Sequence, residues 1–381
     1  MAGTKTGDFI ELISPFLRRK MAELHDRHGV GSPEWRAIAQ QYVKSPLEQA
    51  ISPQERRRHY ESELTISYRG KPLVGVERLY RRTVLLEPTT VCAAHCRWCL
   101  RGQYPVQTLN EEQIIDAAKY FGEAEECREI DEILITGGDP LMAVGLLRTS
   151  LEALQAYAPK IKTIRIGSRV PFQSPERIND ALLAVLKSAA HLRLEIGVNV
   201  NHPVEFWPES REALAKIRAT GARIYNQHPL LKGVNDDLET LSALYTALRD
   251  NDIEAHYMFH AIPMQGMHHH RTSVQKGAEL MTRLSSSGEF SGRSKPRYCL
   301  MTDIGKIVLY DGAIIDRRPA DNTILLRSGY RAADRKKWNP SWRIPSSVEI
   351  DDDGFMCVWY QNGEDEIAQS CAPADELALQ A

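Results

Sequence analysis

The chain has 381 residues, 43% of them hydrophobic and 26% charged, with a formal charge of −2. That length and balance suit a soluble globular protein with one large barrel or two ordinary domains, and they argue against nucleic acid or an anionic membrane surface as a partner. No run approaches the ~20 apolar residues of a membrane span, no secretory signal is visible at the start, and seven cysteines in a long chain argue for a reduced, cytoplasmic setting over a disulfide framework.

From the N-terminus, residues 1–75 are polar and interrupted by Pro15, Pro33, Pro46 and Pro53. Phe16, Met21, Trp35, Ile38 and Tyr42 recur at partial helical spacing, which predicts short helices packed as an N-terminal extension. The charge run 55–59 reads as a solvated helix face. At 84–86 an apolar run predicts a buried strand. The loop after it carries Cys92, Cys96 and Cys99 in C-x3-C-x2-C spacing, with an aromatic residue, Trp98, before the last. Thiolates suit iron–sulfur clusters and zinc. Three of them can hold three irons of a four-iron cluster and leave the fourth iron open to an outside ligand. A structural zinc site is the alternative, but such sites are normally closed by four ligands, and the nearby candidate is His95 alone. Cys127, Cys299, Cys357 and Cys371 are scattered and read as buried thiols.

Strand and helix then alternate. Residues 132–136, 163–166, 193–200, 223–225 and 254–260 read as short strands. Asn110 and Gln113 form a capping-box pattern. Ser174-Pro175 predicts the start of a helix towards Leu186, Gly221 closes the helix containing 213–217, and Asp237 opens another. With the strand at 84–86 this makes six strand–helix units, which imply a parallel sheet covered by helices. Six fit an open, partial (β/α)6 barrel; a doubly wound sheet is the alternative. Parallel barrels gather chemistry at the C-terminal ends of their strands. There the chain places Gly137-Gly138-Asp139-Pro140, Gly167-Ser168-Arg169, Asn201-His202-Pro203, Asn226-Gln227-His228 and the loop 264–271 with His268–His270. Consecutive histidines point in different directions, so that last loop reads as polar and not as a metal site.

The cysteine loop resembles the cluster loop of the radical SAM superfamily. The stretches ILITGGDPLM, IRIGSRVPFQSPERI, VNVNHPVE and NQHPLLKGVNDD, in order across roughly residues 78–285, resemble its lysine 2,3-aminomutase family. The resemblance implies an α/β fold, a partial (β/α)6 radical SAM barrel, with a [4Fe–4S] cluster on Cys92, Cys96 and Cys99. S-adenosylmethionine on the open iron would be cleaved to a 5′-deoxyadenosyl radical that takes hydrogen from the substrate. Trp98 would pack near the cluster or adenine, and Gly137, Gly138 and Asp139 would meet the amino group of S-adenosylmethionine, the glycines allowing close approach. Asn201, His202 and Gln227 would line the cofactor or substrate pocket. Arg101 would grip the substrate α-carboxylate through its guanidinium fork, and Arg169 is either structural or in the pocket.

The chain departs from that family in three places. The family's pyridoxal phosphate lysine follows P-G-G-G-G; here the region reads TDIGKIVLYDG, so Lys306 is the candidate amine behind a single glycine. Arg78, Arg81 and Arg82 lie where arginines would hold the cofactor phosphate, but alignment puts Leu79 and Thr83 on those positions, which leaves pyridoxal phosphate open. Ile262 and Met301 stand where two aspartates would bind the distal ammonium of lysine. An unpaired buried ammonium is strongly disfavoured, so a substrate other than free lysine is expected, in a more apolar pocket that Asp303 or His260 could reshape. The C-terminal zinc cysteines have no counterpart. The expected division is a helical extension (1–75), a barrel (76–311) and a small appended C-terminal region (312–381). The expected activity is hydrogen abstraction from an amino acid or derivative with 2,3-aminomutase-type amino migration. The alternatives are an epimerase, dehydrogenase or rearrangement enzyme without pyridoxal phosphate, and a non-catalytic iron–sulfur sensor. A flavodoxin or ferredoxin is the expected electron donor, and a homo-oligomer is open.

Overall fold

The computed structural model describes residues 9–49, 66–103, 107–286, 294–309 and 312–365. The charge run 55–59, Cys371 and parts of the predicted N- and C-terminal regions lie outside them.

Helices α1 (Pro15–His28) and α2 (Pro33–Tyr42) begin alike, with a serine N-cap and proline in the first turn. The cap side chain satisfies a backbone donor that the helix leaves open, and proline has no donor to lose there. Their apolar faces meet in a satellite core of Phe16, Leu17, Leu24, Trp35, Ile38 and Tyr42, which also takes in Ala94 and Trp207 from the barrel. A small hairpin, β1 (Ser67–Tyr68) and β2 (Lys71–Pro72), and an edge strand, β3 (Val76–Glu77), lead into the main sheet.

Seven parallel strands form that sheet: β4 (Thr83–Thr89), β5 (Glu132–Gly137), β6 (Thr163–Ser168), β7 (Arg193–Val198), β8 (Arg223–Leu230), β9 (Glu254–His260) and β10 (Arg297–Thr302). Antiparallel β3 and β11 (Gly305–Val308) flank them, and the strand order runs from β11 to β3 without closing. Between the strands lie α3 (Glu111–Glu123), α4 (Val144–Tyr157), the short α5 (Val170–Gln173), α6 (Asp180–Ser188), α7 (Pro208–Arg218), α8 (Leu238–Asp250) and α9 (Val274–Ser286). The result is an open α/β barrel of six strand–helix units plus a seventh parallel strand beyond those expected from sequence. The predicted capping box of Asn110 and Gln113 is present on α3, and Asp237 caps α8. Ser174-Pro175 opens only a short turn, and the helix begins later, where Asn179 accepts from the backbone of Leu182.

Side chains alternate across each strand. Ile133, Ile135, Ile164 and Ile166 are fully buried against the helices. The intervening Leu134, Thr136 and Arg165 line the interior. One face of the sheet therefore builds the core and the other builds the site.

After the barrel, β12 (Ile314–Arg318), β13 (Thr323–Arg331), β14 (Val348–Ile350) and β15 (Phe355–Gln361) form a separate antiparallel sheet in the order β12-β13-β15-β14. Helix α10 (Ala332–Trp338) follows β13. Among the described residues no helix is long and apolar enough to cross a membrane.

Candidate active site

The cysteine loop leaves β4 at Thr89 and is fixed on both sides. On its outer side the His95 amide donates to Leu12 O at 2.8 Å, and the ring Nδ1 lies 2.8 Å from Ile10 O. Buried Arg97 donates to Phe9 O, Ile10 O and the Glu48 carboxylate. On the inner side Gly138 N donates to Thr89 O and Asp139 N to Val91 O, at 2.7 and 2.8 Å. A Cβ on Gly138 would stand 2.4 Å from the Thr90 carbonyl carbon. Gly137 adopts φ +112°, where a Cβ would meet Thr89 O at 2.5 Å. The two glycines are therefore required by the packing of one strand end on another.

Burial, and then the neighbouring thiols, push the Cys92 thiol up and Cys99 up to about 11. Cys92 and Cys99 therefore need a cationic partner to become thiolates, and three soft donors on one loop fit an iron–sulfur cluster. His95 is occupied by the N-terminal segment, and among the described residues no three ligating side chains converge on a single ion. Cys96 Sγ accepts from Arg169 Nη1 at 3.1 Å and Gln173 Nε2 at 3.4 Å.

Behind the loop lies a buried polar network. Asp139 accepts from Leu141 N, Ser168 Oγ, Arg169 N and Val170 N, while burial raises its carboxyl to about 6 against the pull of those donors. Arg169 also binds Glu205 (2.7 Å) and Gln41 (3.0 Å), and its guanidinium lies 5.3 and 5.4 Å from the Tyr42 and Trp98 rings. Asn201 donates to Gln41 at 2.6 Å, and its Oδ1 is buried without a partner. His202 Nδ1 caps Val204 N, and burial lowers its pKa. Asn201 and His202 thus stand in the network beside the barrel mouth, whereas Trp98, Arg101, Gln227 and Lys306 line the cavity itself.

That cavity is about 450 Å³. On its lining Arg101 pairs with Glu87 and, at 3.4 Å, with Glu77. The β10–β11 hairpin delivers Lys306 to the same cavity, its Nζ 5.3 Å from both the Tyr257 and Phe259 ring centroids. Burial, then the charge of Arg165, lowers the Lys306 amine to about 8. Ile262 and Met301 line the same wall and belong to an apolar group with Met264, Met267 and Leu100. No carboxylate from the described residues lines the cavity. Asp303 is turned away to Ser347, 2.8 Å distant. Buried polar atoms without a partner cluster on lining residues: Trp98 Nε1, Asn199 Oδ1, Gln227 Oε1, His260 Nε2 and His270 Nε2. Burial holds both histidines well below the usual range, so they are neutral imidazoles.

The arginines near β4 face elsewhere. Arg78 Nη1 reaches Cys127 Sγ (3.4 Å), Arg81 pairs with Glu129 and Arg82 with Asp131. Leu79 and Thr83 line the cavity instead. The cation missed from sequence is Arg165, bonded to Glu132 (3.0 Å) and the Tyr225 hydroxyl (2.8 Å). Its signal was present: it sits between Ile164 and Ile166, on the inward face of a strand whose outward face is apolar. Tyr80 and Tyr330 also line the cavity and carried no comparable signal.

The radical SAM superfamily model matches residues 86–244. A protein of Aquifex aeolicus named "Putative L-lysine 2,3-aminomutase" is 36% identical over 239 residues, 61% of this chain and 62% of that one. A second match of the same name and organism is 31% identical over 298 residues, 76% of each. The L-lysine 2,3-aminomutase of Methanococcus maripaludis is 32% identical over 227 residues, covering 60% of this chain and 52% of the relative. The aligned part thus spans between about half and three quarters of these relatives. Among solved structures, a radical SAM methyltransferase from Sphaerobacter thermophilus overlays with a TM-score of 0.41 at 19% identity, over 59% of this chain and 68% of the other. An overlay that loose carries no argument about function.

Proposed function

The chain belongs to the lysine 2,3-aminomutase family of the radical SAM superfamily, as a divergent member, and from that membership we propose that it abstracts hydrogen from an amino acid or derivative other than free lysine, with 2,3-aminomutase-type migration of the amino group. When bound, the cluster on Cys92, Cys96 and Cys99 supplies a low-potential electron that cleaves S-adenosylmethionine to methionine and a 5′-deoxyadenosyl radical. The protein's own residues do the rest. The Gly137–Asp139 segment, which braces the cysteine loop, would meet the amino group of S-adenosylmethionine with its main chain, and Trp98 and Gln227 wall the cavity. Arg101 binds the substrate α-carboxylate by exchanging one carboxylate partner for another. The apolar wall excludes water from the radical. A cytoplasmic flavodoxin or ferredoxin supplies the electron.

One observation carries the reading: a single cavity is lined by Trp98 of the cysteine loop, Arg101, Lys306, Ile262 and Met301, and among the described residues no carboxylate lines it to receive an ammonium. Lys306 is the residue that would carry pyridoxal phosphate, because its amine is presented in the cavity and its lowered pKa favours the nucleophilic form. A second reading, radical chemistry without that cofactor, is favoured by the outward turn of Arg78, Arg81 and Arg82, which leaves the family's phosphate-binding positions to Leu79 and Thr83.

The test is anaerobic cluster reconstitution, reduction and assay of 5′-deoxyadenosine with a panel of amino acids and their derivatives. Release that depends on one class of substrate is expected, and no release with any of them would sink the proposal. Uptake of pyridoxal phosphate, read as a visible absorption band lost in Lys306→Ala, separates the two readings; a protein that cannot be loaded uses the second.

A further inference from the structure

The turn carrying Lys306 is held from outside the barrel. Gly305 adopts φ +111°, a conformation that favours glycine, and the hairpin closes by pairing Thr302 with Gly305. Three of the four residues 303–306 are then gripped by the C-terminal region. The Ser347 hydroxyl donates to Asp303 Oδ2 at 2.8 Å. Arg335 Nη2 donates to Ile304 O at 2.7 Å. The Tyr330 hydroxyl donates to Lys306 O at 2.6 Å. Arg335 is fully buried, with its guanidinium 5.3 Å from the Tyr330 ring and 5.4 Å from the Trp342 ring, so the Arg335 and Tyr330 contacts belong to one packed unit.

Tyr330 owes its direction to an irregularity. The register of β13 against β15 shifts between Arg327 and Arg331, and such bulges re-aim side chains. Within the bulge, Ser328 Oγ donates to Met356 O at 2.6 Å and accepts from Tyr330 N at 3.1 Å. Tyr330 consequently leaves its own sheet and lines the barrel cavity beside Tyr80, with which it shares a hydrogen bond.

We propose that Tyr330 is a positioning residue of the active site: its hydroxyl fixes the Lys306 main chain so that the amine stands over Tyr257 and Phe259 inside the cavity. The C-terminal sheet is then a working wall of the site, not an appendage to the barrel. A lysine side chain has four rotatable bonds, and only a fixed backbone keeps its end in a half-buried place that water would otherwise compete for. The inference deepens the reading of Lys306 as the carrier amine, but its test needs no cofactor.

That test is reductive methylation of the full-length protein with formaldehyde and cyanoborohydride across a pH series, the labelling of Lys306 being followed by peptide mass spectrometry. Wild type is expected to reach half-labelling near pH 8, where burial places the amine. Tyr330→Phe keeps the ring and removes only the hydroxyl. It should raise the midpoint by about one unit, roughly tenfold less neutral amine at pH 7. Ser347→Ala, which frees the other end of the turn, should leave the midpoint within a few tenths of a unit of wild type. A Tyr330→Phe profile that superimposes on wild type, or equal shifts in both variants, would overturn the proposal. Because the readout is the amine itself, a shift here stands even if the protein takes up no pyridoxal phosphate, and cofactor uptake without a shift leaves the function standing and removes Tyr330.

Discussion

Asp139 shows how much a single side chain can decide. Its two oxygens receive four donors, the backbone of Leu141, Arg169 and Val170 and the hydroxyl of Ser168. An amide of the same shape would turn NH2 towards at least one of them. Asp139→Asn should therefore cost about 1–3 kcal/mol despite its equal size, read by urea unfolding of the protein before cluster loading. Lys306 gives a prediction with a sign. Its folded pKa of about 8 lies below the ordinary 10.5, so between those values the unfolded chain binds more protons and stability rises with pH. Below pH 8 the full cost of a charged, buried amine is present. Lys306→Met should then be more stable than wild type at pH 7, by about 1–3 kcal/mol, and the gap should close above pH ~10.5, which thermal melts at several pH values will show. Ile262 and Met301 set the third expectation. Free lysine would bring its distal ammonium to a wall without a carboxylate, and a penalty of about 3 kcal/mol corresponds to roughly a hundredfold lower kcat/KM than for the best substrate. Efficient turnover of free lysine would refute this account of the wall.

At the scale of strands and loops, the segments that declared themselves in the sequence were those whose packing is periodic. The strand β9 matches its expected ends, and β5 and β6 match within one or two residues, the last two because their outward isoleucines alternate with the residues facing the cavity. The strand β10 was missed for a physical reason: it follows a serine- and glycine-rich stretch and has no helix after it, so it completes no strand–helix unit. The resemblance implies that Gly137 and Gly138 let the main chain approach S-adenosylmethionine. The structure adds a second demand, the close main chain of residues 89–91, which the sequence could not reveal because the contact joins two strand ends. Gly138→Ala should push that backbone away and displace the cysteine loop. Iron and sulfide bound per chain after reconstitution should fall by about half or more, since deviations of this kind are not absorbed by a flexible side chain. Normal loading would mean that the loop yields without harm to the cluster site.

Over the whole molecule, an open barrel leaves its contents to be secured by what lies outside it. The N-terminal segment holds the cysteine loop, and the C-terminal sheet holds the Lys306 hairpin. Neither arrangement was legible, since Gln41 with Arg169 or Tyr330 with Lys306 are contacts between distant, individually ordinary residues; the sequence displayed the parts of the site that recur along the strands and hid those that reach it from elsewhere. The ion pair of Arg97 with Glu48 tests the N-terminal half of this arrangement. The Arg97 side chain is 1% exposed and that of Glu48 10%. Removing one member of such a pair leaves an uncompensated buried charge, a loss of about 3–5 kcal/mol. The exposed pair Arg128–Glu125, at 2.7 Å, has little consequence by comparison, because water screens it. Glu48→Ala should accordingly lower the urea midpoint markedly, while Glu125→Ala shifts stability by less than about 1 kcal/mol. If the N-terminal segment braces the cysteine loop, Glu48→Ala should also speed the loss of cluster absorbance when the reconstituted protein meets air. A cluster that decays at the wild-type rate in a destabilised variant would show that the segment stabilises the chain without guarding the site.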